Sequence, residues 1–358
     1  MIRVLVVDDS LTVRQRLVEI LTREPDLDVV GEAADGRSAV ALTRSLRPDV
    51  ISLDLVLPDM NGLAATEQIM AHVPTPILIV SASCNRGEMF DTYHALAAGA
   101  VDVLDKPRDH DDPSWEHRFL AAVRMVSRIK VITHLRARLG GAGRDAAPRA
   151  PKAHPVGTNT EHGPAIVDVI ALGASTGGPG ALVDVIGALA PGLRVTTLVV
   201  LHIDAAFNSS FADWLGVQTS RAVRIAQDGD PVSGPPGRVL FAPSGRHLVV
   251  DRGAVRITSD PPRHHCRPSI DTLFESVALE YKARSAAGLL TGMGRDGAAG
   301  LLAIRQAGGF TIAQDEATSV VYGMPREAVA CGAADRVLPL HEIGPALELR
   351  AARKDRGR

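Results

Sequence analysis

Short apolar runs alternate with amphipathic stretches over the first 107 residues, and this alternation restricts the fold more than any other feature of the sequence. Near-continuous apolar runs predict strands that are buried on both faces, and apolar residues at helical spacing between them predict connecting helices. Strands that alternate with helices form a mostly parallel sheet with helices on both faces. The predicted strands are Ile2–Val7, Asp28–Gly31, Val50–Leu53, Ile77–Val80 and Val101–Leu104.

The alternation stops in the middle of the chain and then returns. Residues 136–164 are rich in Gly, Ala and Pro and predict a linker, and the periodic, basic stretch Phe119–Leu139 before them predicts a helix that leaves the first domain. We therefore expect a first domain at 1–120, a helix and flexible linker at 121–164, and a second α/β domain at 165–350. Its predicted elements are the strands Ile166–Leu172, Val195–Leu201 and Ala287–Leu290, the helix Ser269–Lys282, and short antiparallel pieces at Val239–Ala242, Leu248–Asp251 and Ala254–Ile257.

Composition excludes several classes of protein. Apolar residues make up 46% and charged residues 22%, which is typical of a folded protein, and 33 Gly with 23 Pro exclude a coiled coil. A net charge of −2 and 3% aromatic residues give no reason to expect a nucleic-acid partner. No run approaches the roughly 20 apolar residues of a membrane helix, so we expect no membrane insertion and a cytoplasmic protein.

Cysteine usage fits a reducing compartment, because Cys84, Cys266 and Cys331 are far apart in the sequence and form no even framework. Cys266 follows His264 and His265, but a zinc site needs a further ligand at suitable spacing, and none is evident. The sequence therefore predicts no metal or cofactor in the second domain.

Polar side chains follow the predicted strands of the first domain. Asp8 and Asp9 follow the first strand, Asp54 the third, Ser81 closes the fourth and Lys106 follows the fifth. One acid at such a position is usually a helix N-cap. Because the carboxyl ends of parallel strands meet at one edge, this set instead indicates a cluster that binds Mg²⁺, with Asp54 as a nucleophile toward a phosphoryl group.

The second domain begins with a serine between a strand and a helix. The segment from Gly173 to Gly177 has the form G-x-S-x-G, and its small residues permit a sharp turn that exposes Ser175. A glycine-rich turn at this place is also typical of a dinucleotide loop or of a purely structural turn. On this segment alone, the three interpretations stay open.

Two further strand ends favour the nucleophile. His202 ends the next strand and Asp296 follows a later one, and a serine nucleophile needs a histidine base that a carboxylate orients. The order Ser, His, Asp differs from that of the α/β-hydrolases. The backbone N–H of Met293 is the predicted oxyanion donor. An ordinary imidazole pKa of about 6.5 predicts activity that rises through neutral pH.

Four motifs lie at the strand ends of the first domain: Asp8-Asp9, the segment from Asp54 to Gly62, Ser81-Ala82 and Lys106-Pro107. With these motifs, the first domain resembles the receiver domain of response regulators. The resemblance implies a flavodoxin-like fold, phosphorylation of Asp54 by a partner histidine kinase, and switch roles for Ser81 and Lys106. It also implies Mg²⁺ held by Asp9, Asp54 and the Val56 carbonyl, with Asp8 nearby. Val103 departs from the pattern, because receivers often carry an aromatic switch residue there.

Eight segments of the second domain form a recognisable set of motifs: 173–178, His202, 226–229, 242–245, 267–271, 291–297, 313–316 and 322–325. With these segments, the second domain resembles the catalytic domain of the chemotaxis protein-glutamate methylesterases. The resemblance implies a Rossmann-like domain with a β-hairpin and a Ser175–His202–Asp296 triad. It also implies hydrolysis of glutamate methyl esters on the cytoplasmic helices of methyl-accepting chemoreceptors, and deamidation of receptor glutamines.

One departure lies beside the predicted base, where the family usually has Gln-His-Met-Pro and this chain has Leu201-His202-Ile203-Asp204. It leaves open a rival from another class, a non-catalytic signalling module that phosphorylation regulates. A second rival is a nucleotide-dependent oxidoreductase that uses the glycine-rich turn.

Overall fold

The computed structural model describes residues 1–82, 86–106, 113–129, 131 and 167–351. The first domain is a five-stranded parallel sheet with the order β2-β1-β3-β4-β5, which confirms the predicted architecture. Its strands are β1 (Ile2–Val7), β2 (Leu27–Ala33), β3 (Val50–Leu53), β4 (Ile77–Ser81) and β5 (Asp102–Asp105). Its helices are α1 (Leu11–Thr22), α2 (Gly36–Leu46), α3 (Gly62–His72), α4 (Arg86–Ala97) and α5 (Pro113–Val126).

Alternate residues of each strand supply the two faces of this sheet. Val4 and Val6 of β1 pack with α1 and α5, whereas Leu5 and Val7 pack with α2, α3 and α4. Both faces are covered, so nearly every residue of the central strands is apolar, and the polar residues remain at the strand ends.

The bounds of the predicted helix Phe119–Leu139 are wrong at both ends within the described residues. α5 begins at Pro113 and ends at Val126, and a turn follows at 127–128. Apolar periodicity marks the face that packs on the sheet but not the point where that contact stops. Since α5 packs on the first sheet, we propose a domain boundary after it rather than at 120. The predicted linker at 136–164 lies outside the described residues.

The second domain is a seven-stranded parallel sheet with the order β14-β13-β12-β6-β7-β9-β8, beside an antiparallel hairpin, β10–β11. The sheet contains β6 (Val169–Ala174), β7 (Thr196–Leu201), β8 (Val223–Ile225), β9 (Val239–Phe241), β12 (Ser285–Leu289), β13 (Phe310–Gln314) and β14 (Arg336–Leu338), and the hairpin joins β10 (His247–Asp251) to β11 (Ala254–Thr258). The helices are α6 (Gly178–Ala188), α7 (Ala205–Thr219), α8 (Ile270–Tyr281), α9 (Ala298–Gln306), α10 (Met324–Ala330) and α11 (Leu340–Ala351).

The antiparallel hairpin is confirmed for two of its three predicted pieces. The third, Val239–Ala242, was predicted as antiparallel and is wrong, because β9 pairs in parallel with both β7 and β8 inside the main sheet. A three-residue apolar run carries no information about strand direction, which only the connections decide.

The two domains are in contact through helices. α4 of the first domain packs against α6 and α7 of the second. Tyr93 of α4 is fully buried, and its hydroxyl donates to the Phe207 carbonyl at 2.5 Å. The Tyr93 ring makes edge contacts with Phe207 and Phe211. Among the helices of the described residues, none is both long enough and apolar enough to cross a membrane.

Candidate active site

Ser175 lies in the turn between β6 and α6. Its N–H donates to the Thr291 carbonyl at 3.0 Å, and its carbonyl accepts from Gly178 N–H at 2.7 Å. Gly177 has a left-handed φ of 77°, and a Cβ there would lie 2.5 Å from Val320, so only glycine fits. Within the described part of the chain, the partly exposed Ser175 hydroxyl forms no hydrogen bond. The turn therefore presents an uncommitted hydroxyl above the sheet edge.

His202 lies at the same level of the neighbouring strand. β6 and β7 are parallel with Ala174 opposite Leu201, and the N–H of His202 donates to the Ala174 carbonyl at 3.0 Å. Neighbouring strands are about 4.8 Å apart, so this register brings Ser175 and His202 side by side. The two residues that the sequence placed at separate strand ends thus share one edge.

Asp296 holds the other side of the imidazole. Its Oδ2 lies 3.0 Å from His202 Nε2 and accepts from Ile270 N–H at 2.7 Å. Its Oδ1 accepts from Ser269 Oγ at 2.8 Å and from Asp271 N–H at 3.1 Å. Burial alone would raise the pKa of this carboxyl, but the His202 contact and these donors lower it below the usual value. Asp296 is therefore a buried carboxylate with all four acceptor positions used.

The protonation of His202 follows from these partners. An ionised carboxylate only accepts hydrogen bonds, so in the neutral imidazole Nε2 carries the proton and Nδ1 is the free base. Burial acts to lower the pKa of His202, but the bond to Asp296 and the neighbouring Cys266 raise it to about 9. Cys266 Sγ lies 3.8 Å from Nδ1. The expected ionisation near 6.5 is thus corrected upward, because the sequence predicted Asp296 as a partner of His202 but showed neither its effect on the pKa nor the Cys266 contact.

Two backbone donors flank Ser175. The N–H groups of Met293 and Thr176 form no hydrogen bond within the described residues. The turn before Met293 lies against Ser175, because residue 292 is glycine: a Cβ on Gly292 would lie only 2.7 Å from Ser175 Cβ. Met293 was predicted from sequence. Thr176 was not, although its position directly after the serine was the signal that pointed to it.

The predicted receiver residues also meet at one edge. Lys106 Nζ lies 2.7 Å from both Asp8 Oδ2 and Asp54 Oδ2. Asp8 and Asp54 are buried, Asp9 is exposed, and one oxygen from each of the three lies within 4.8 Å of the others. Burial is the main reason that the pKa of Asp8 is raised.

The donor set at this edge fits Mg²⁺. The ion prefers oxygen ligands, and three carboxylates lie together here, two of them in contact with the ammonium group of Lys106. The Ser81 hydroxyl is buried and has no hydrogen-bond partner among the described residues, which leaves it available to an incoming oxygen group. Val56 follows Asp54 by two residues and is half exposed.

A cleft of about 750 Å³ separates the end of α5 from the catalytic edge. Its receiver side is formed by Met125, Arg128 and Ile129, and its other side by residues 264–266, 293–296 and 321–323 with Arg326 and Glu327. Arg118 of α5 also lies 3.0 Å from Asp204, two residues after His202. The receiver therefore lies beside the part of the edge that carries Asp296 and contacts the loop that follows His202.

Comparisons with known proteins identify the family of this chain. The family model "CheB methylesterase" matches residues 170–347, and "Response regulator receiver domain" matches residues 4–113. The protein-glutamate methylesterase/protein-glutamine glutaminase 2 of Anaeromyxobacter dehalogenans is 45% identical, with 97% of this chain and 96% of that protein covered. The chain belongs to the CheB methylesterase family.

Two further relatives match this chain over nearly its full length. The protein-glutamate methylesterase/protein-glutamine glutaminase of Nitrosospira multiformis is 41% identical, with 97% of this chain and 96% of that protein covered. The protein-glutamate methylesterase/protein-glutamine glutaminase 2 of Pseudomonas aeruginosa is 44% identical, with 99% of each chain covered. The recognition of a receiver followed by a methylesterase domain is therefore confirmed over nearly the full chain.

Three features of this CheB-family chain were not predicted from its sequence. They are the Thr176 donor, the contact of Cys266 with His202, and the ion pair between Arg118 and Asp204. The last two join residues that are 64 and 86 positions apart. Local pattern carries no signal for such pairs.

Proposed function

We propose that this chain hydrolyses the γ-methyl esters of glutamate residues on the cytoplasmic helices of methyl-accepting chemoreceptors, releasing methanol, and that phosphorylation controls the reaction. The observation that carries the proposal is the strand register that sets Ser175 level with His202, together with the buried carboxylate of Asp296 that lies 3.0 Å from the His202 imidazole. The family names support it, because the relatives are named for ester hydrolysis and for glutaminase activity.

The chemistry follows from the residues. His202 Nδ1 takes the Ser175 proton as Oγ attacks the ester carbonyl, and Asp296 stabilises the imidazolium that forms. The N–H groups of Met293 and Thr176 are the donors for the oxyanion. Methanol leaves with the proton from His202. Water, deprotonated by the same nitrogen, then releases glutamate from the acyl-serine.

The same site serves a glutamine side chain. The tetrahedral intermediate differs only in its leaving group, which is ammonia instead of methanol, and His202 supplies the proton in both cases. We therefore infer deamidation of receptor glutamines as a second activity. No step in either reaction needs a cofactor in the catalytic domain.

In the receiver, Asp54 is the phosphate acceptor and a histidine kinase is the donor. One Asp54 oxygen accepts from Leu55 N–H at 2.7 Å and the other from Lys106, so both are oriented. Asp8, Asp9, Asp54 and the Val56 carbonyl would hold Mg²⁺, which neutralises the charge of the phosphoryl group when bound. Ser81 and Lys106 would then bind the phosphoryl oxygens.

Control follows from the position of the receiver. α4 and α5 lie against the domain that carries Ser175, and α5 closes one side of the cleft. Phosphorylation need only weaken this contact by a few kcal/mol to shift the open population strongly. The receiver thus shields the catalytic edge until Asp54 is phosphorylated.

Methanol release from methylated receptor membranes tests the proposal. Ser175→Ala should lower the rate by about 10³-fold or more, as the loss of a triad nucleophile does. Ser209→Ala, at an exposed serine on α7, is the matched control and should keep the rate. Absence of methanol release by the phosphorylated wild-type protein would instead favour the non-catalytic signalling module.

A further inference from the structure

Cys266 is the side chain beside His202 to which the proposed reaction gives no role. Its sulfur lies 3.8 Å from Nδ1, the nitrogen that must accept the serine proton. Cys266 is only partly buried and lines the 750 Å³ cleft, so solutes reach it. A soft thiol and an imidazole lone pair therefore converge at one accessible point.

The spacing of these two atoms suits a metal ion. Zn²⁺ binds sulfur at about 2.3 Å and imidazole nitrogen at about 2.0 Å, so two tetrahedral ligands of this kind are roughly 3.5 Å apart. The observed 3.8 Å needs only a small side-chain adjustment. One donor atom each of His202, Cys266 and Asp296 lies within 4.8 Å of the others.

Asp296 would not bind the metal itself but would hold the His202 imidazole in position through its hydrogen bond. Its four acceptor positions are already used by Ser269, Ile270, Asp271 and His202. A metal-binding histidine almost always donates its other N–H to a carboxylate, which fixes the tautomer and orients the ring. His202 already has this arrangement, with Nδ1 left toward Cys266.

We propose that a thiophilic divalent cation such as Zn²⁺ binds between Cys266 and His202 and inhibits the esterase. The thiol loses its proton to solvent as the metal–sulfur bond forms, and the Nδ1 lone pair becomes a ligand. Water from the cleft fills the remaining positions. Ser175 then has no base. The inhibition rests on the proposed function, whereas the binding does not.

The first test measures binding without esterase activity. Full-length protein with Cys84→Ser and Cys331→Ser retains Cys266 as its single thiol. Added Co²⁺ should give a thiolate-to-metal charge-transfer absorption band, and a further Cys266→Ser change should abolish it. A band that persists without Cys266, or no band with it, overturns the site. Either result leaves the proposed esterase untouched.

The second test needs no variant and so does not depend on folding. In the wild-type protein, Zn²⁺ should slow the alkylation of Cys266 by iodoacetamide at least tenfold, as followed by peptide mass spectrometry. Cys331, which is exposed, is the internal control and should react at an unchanged rate. Equal rates for Cys266 with and without Zn²⁺ would contradict the proposal.

The third test measures inhibition. Zn²⁺ should inhibit methanol release reversibly, with recovery on addition of a chelator. Cys266→Ser should raise the Zn²⁺ concentration for half-inhibition at least tenfold, each rate being normalised to that variant's metal-free rate, whereas Cys331→Ser should not. Unchanged sensitivity in Cys266→Ser would show that inhibition occurs elsewhere and would overturn the proposal.

Discussion

The carboxylate of Asp204 lies 3.0 Å from the guanidinium of Arg118, across the contact between the two domains. Asp204 also begins α7, where its other oxygen accepts from Ala206 N–H at 3.1 Å. Asp204 belongs to the segment Leu201-His202-Ile203-Asp204, where the sequence departs from the expected family pattern, and it forms an ion pair with the receiver. The loop that carries His202 is thereby tied to α5.

Arg118→Gln should raise the rate of the unphosphorylated protein. Arg118 is about half exposed, and exposed ion pairs contribute about 0.2–1 kcal/mol, so the expected gain is about fivefold or less. Esterase rates without phosphodonor measure it. Arg224→Gln is the matched control, because Arg224 forms a similar ion pair with Asp230 within the catalytic domain. A rate for Arg118→Gln no higher than that of Arg224→Gln would contradict the role of the pair.

The activity should rise with pH through the His202 ionisation. The base must be neutral, and the pKa of His202 is raised to about 9, so the rate should increase tenfold per pH unit below that value and level off above it. Rates are measured with a chelator present. A rate independent of pH from 6 to 8 would contradict His202 as the base.

Cys266→Ser should move this rise to lower pH. The Cys266 side chain beside Nδ1 is one of the groups that raise the pKa of His202, and the serine variant removes its sulfur. The same pH profile measures the change, and Cys331→Ser should leave the profile where it is. A midpoint that stays or moves upward in Cys266→Ser would show that Asp296 alone sets the pKa.

Ser269→Ala should lower kcat about tenfold with little change in KM. The Ser269 hydroxyl donates to Asp296 at 2.8 Å, and a bond to a charged group contributes about 1.5–3 kcal/mol. Steady-state kinetics separate the two constants. Ser276→Ala removes a hydroxyl from α8, the helix that begins directly after Ser269, but does not touch the carboxylate, and it should keep kcat. Equal losses in both variants would indicate a purely structural effect.

Asp54→Asn should abolish stimulation by Mg²⁺ and a small-molecule phosphodonor and keep the unstimulated rate within about twofold. The variant removes the carboxylate oxygen that Lys106 contacts at 2.7 Å. Asp59→Asn is the control, since Asp59 is an exposed acid with a left-handed φ of 62° that asparagine also adopts. Full stimulation of Asp54→Asn would exclude Asp54 as the acceptor.

The sequence predicted much of the site because apolar runs show where the strands end. Ser175, His202 and Asp296 each follow an apolar run, and parallel strands bring their carboxyl ends to one edge. The same argument gathered Asp8, Asp54 and Lys106. Only where the run was too short, as at β9, did the prediction of strand direction fail.

By itself, the sequence determined two parallel α/β sheets, the residues at their edges and the family, because all of these depend on local pattern and order along the chain. The tertiary structure alone decided which nitrogen of His202 is free, since that depends on Asp296 at 3.0 Å. It also brought Cys266 to that nitrogen and Arg118 to Asp204. These contacts join residues far apart in the chain, and packing of whole domains, rather than local pattern, brings such residues together.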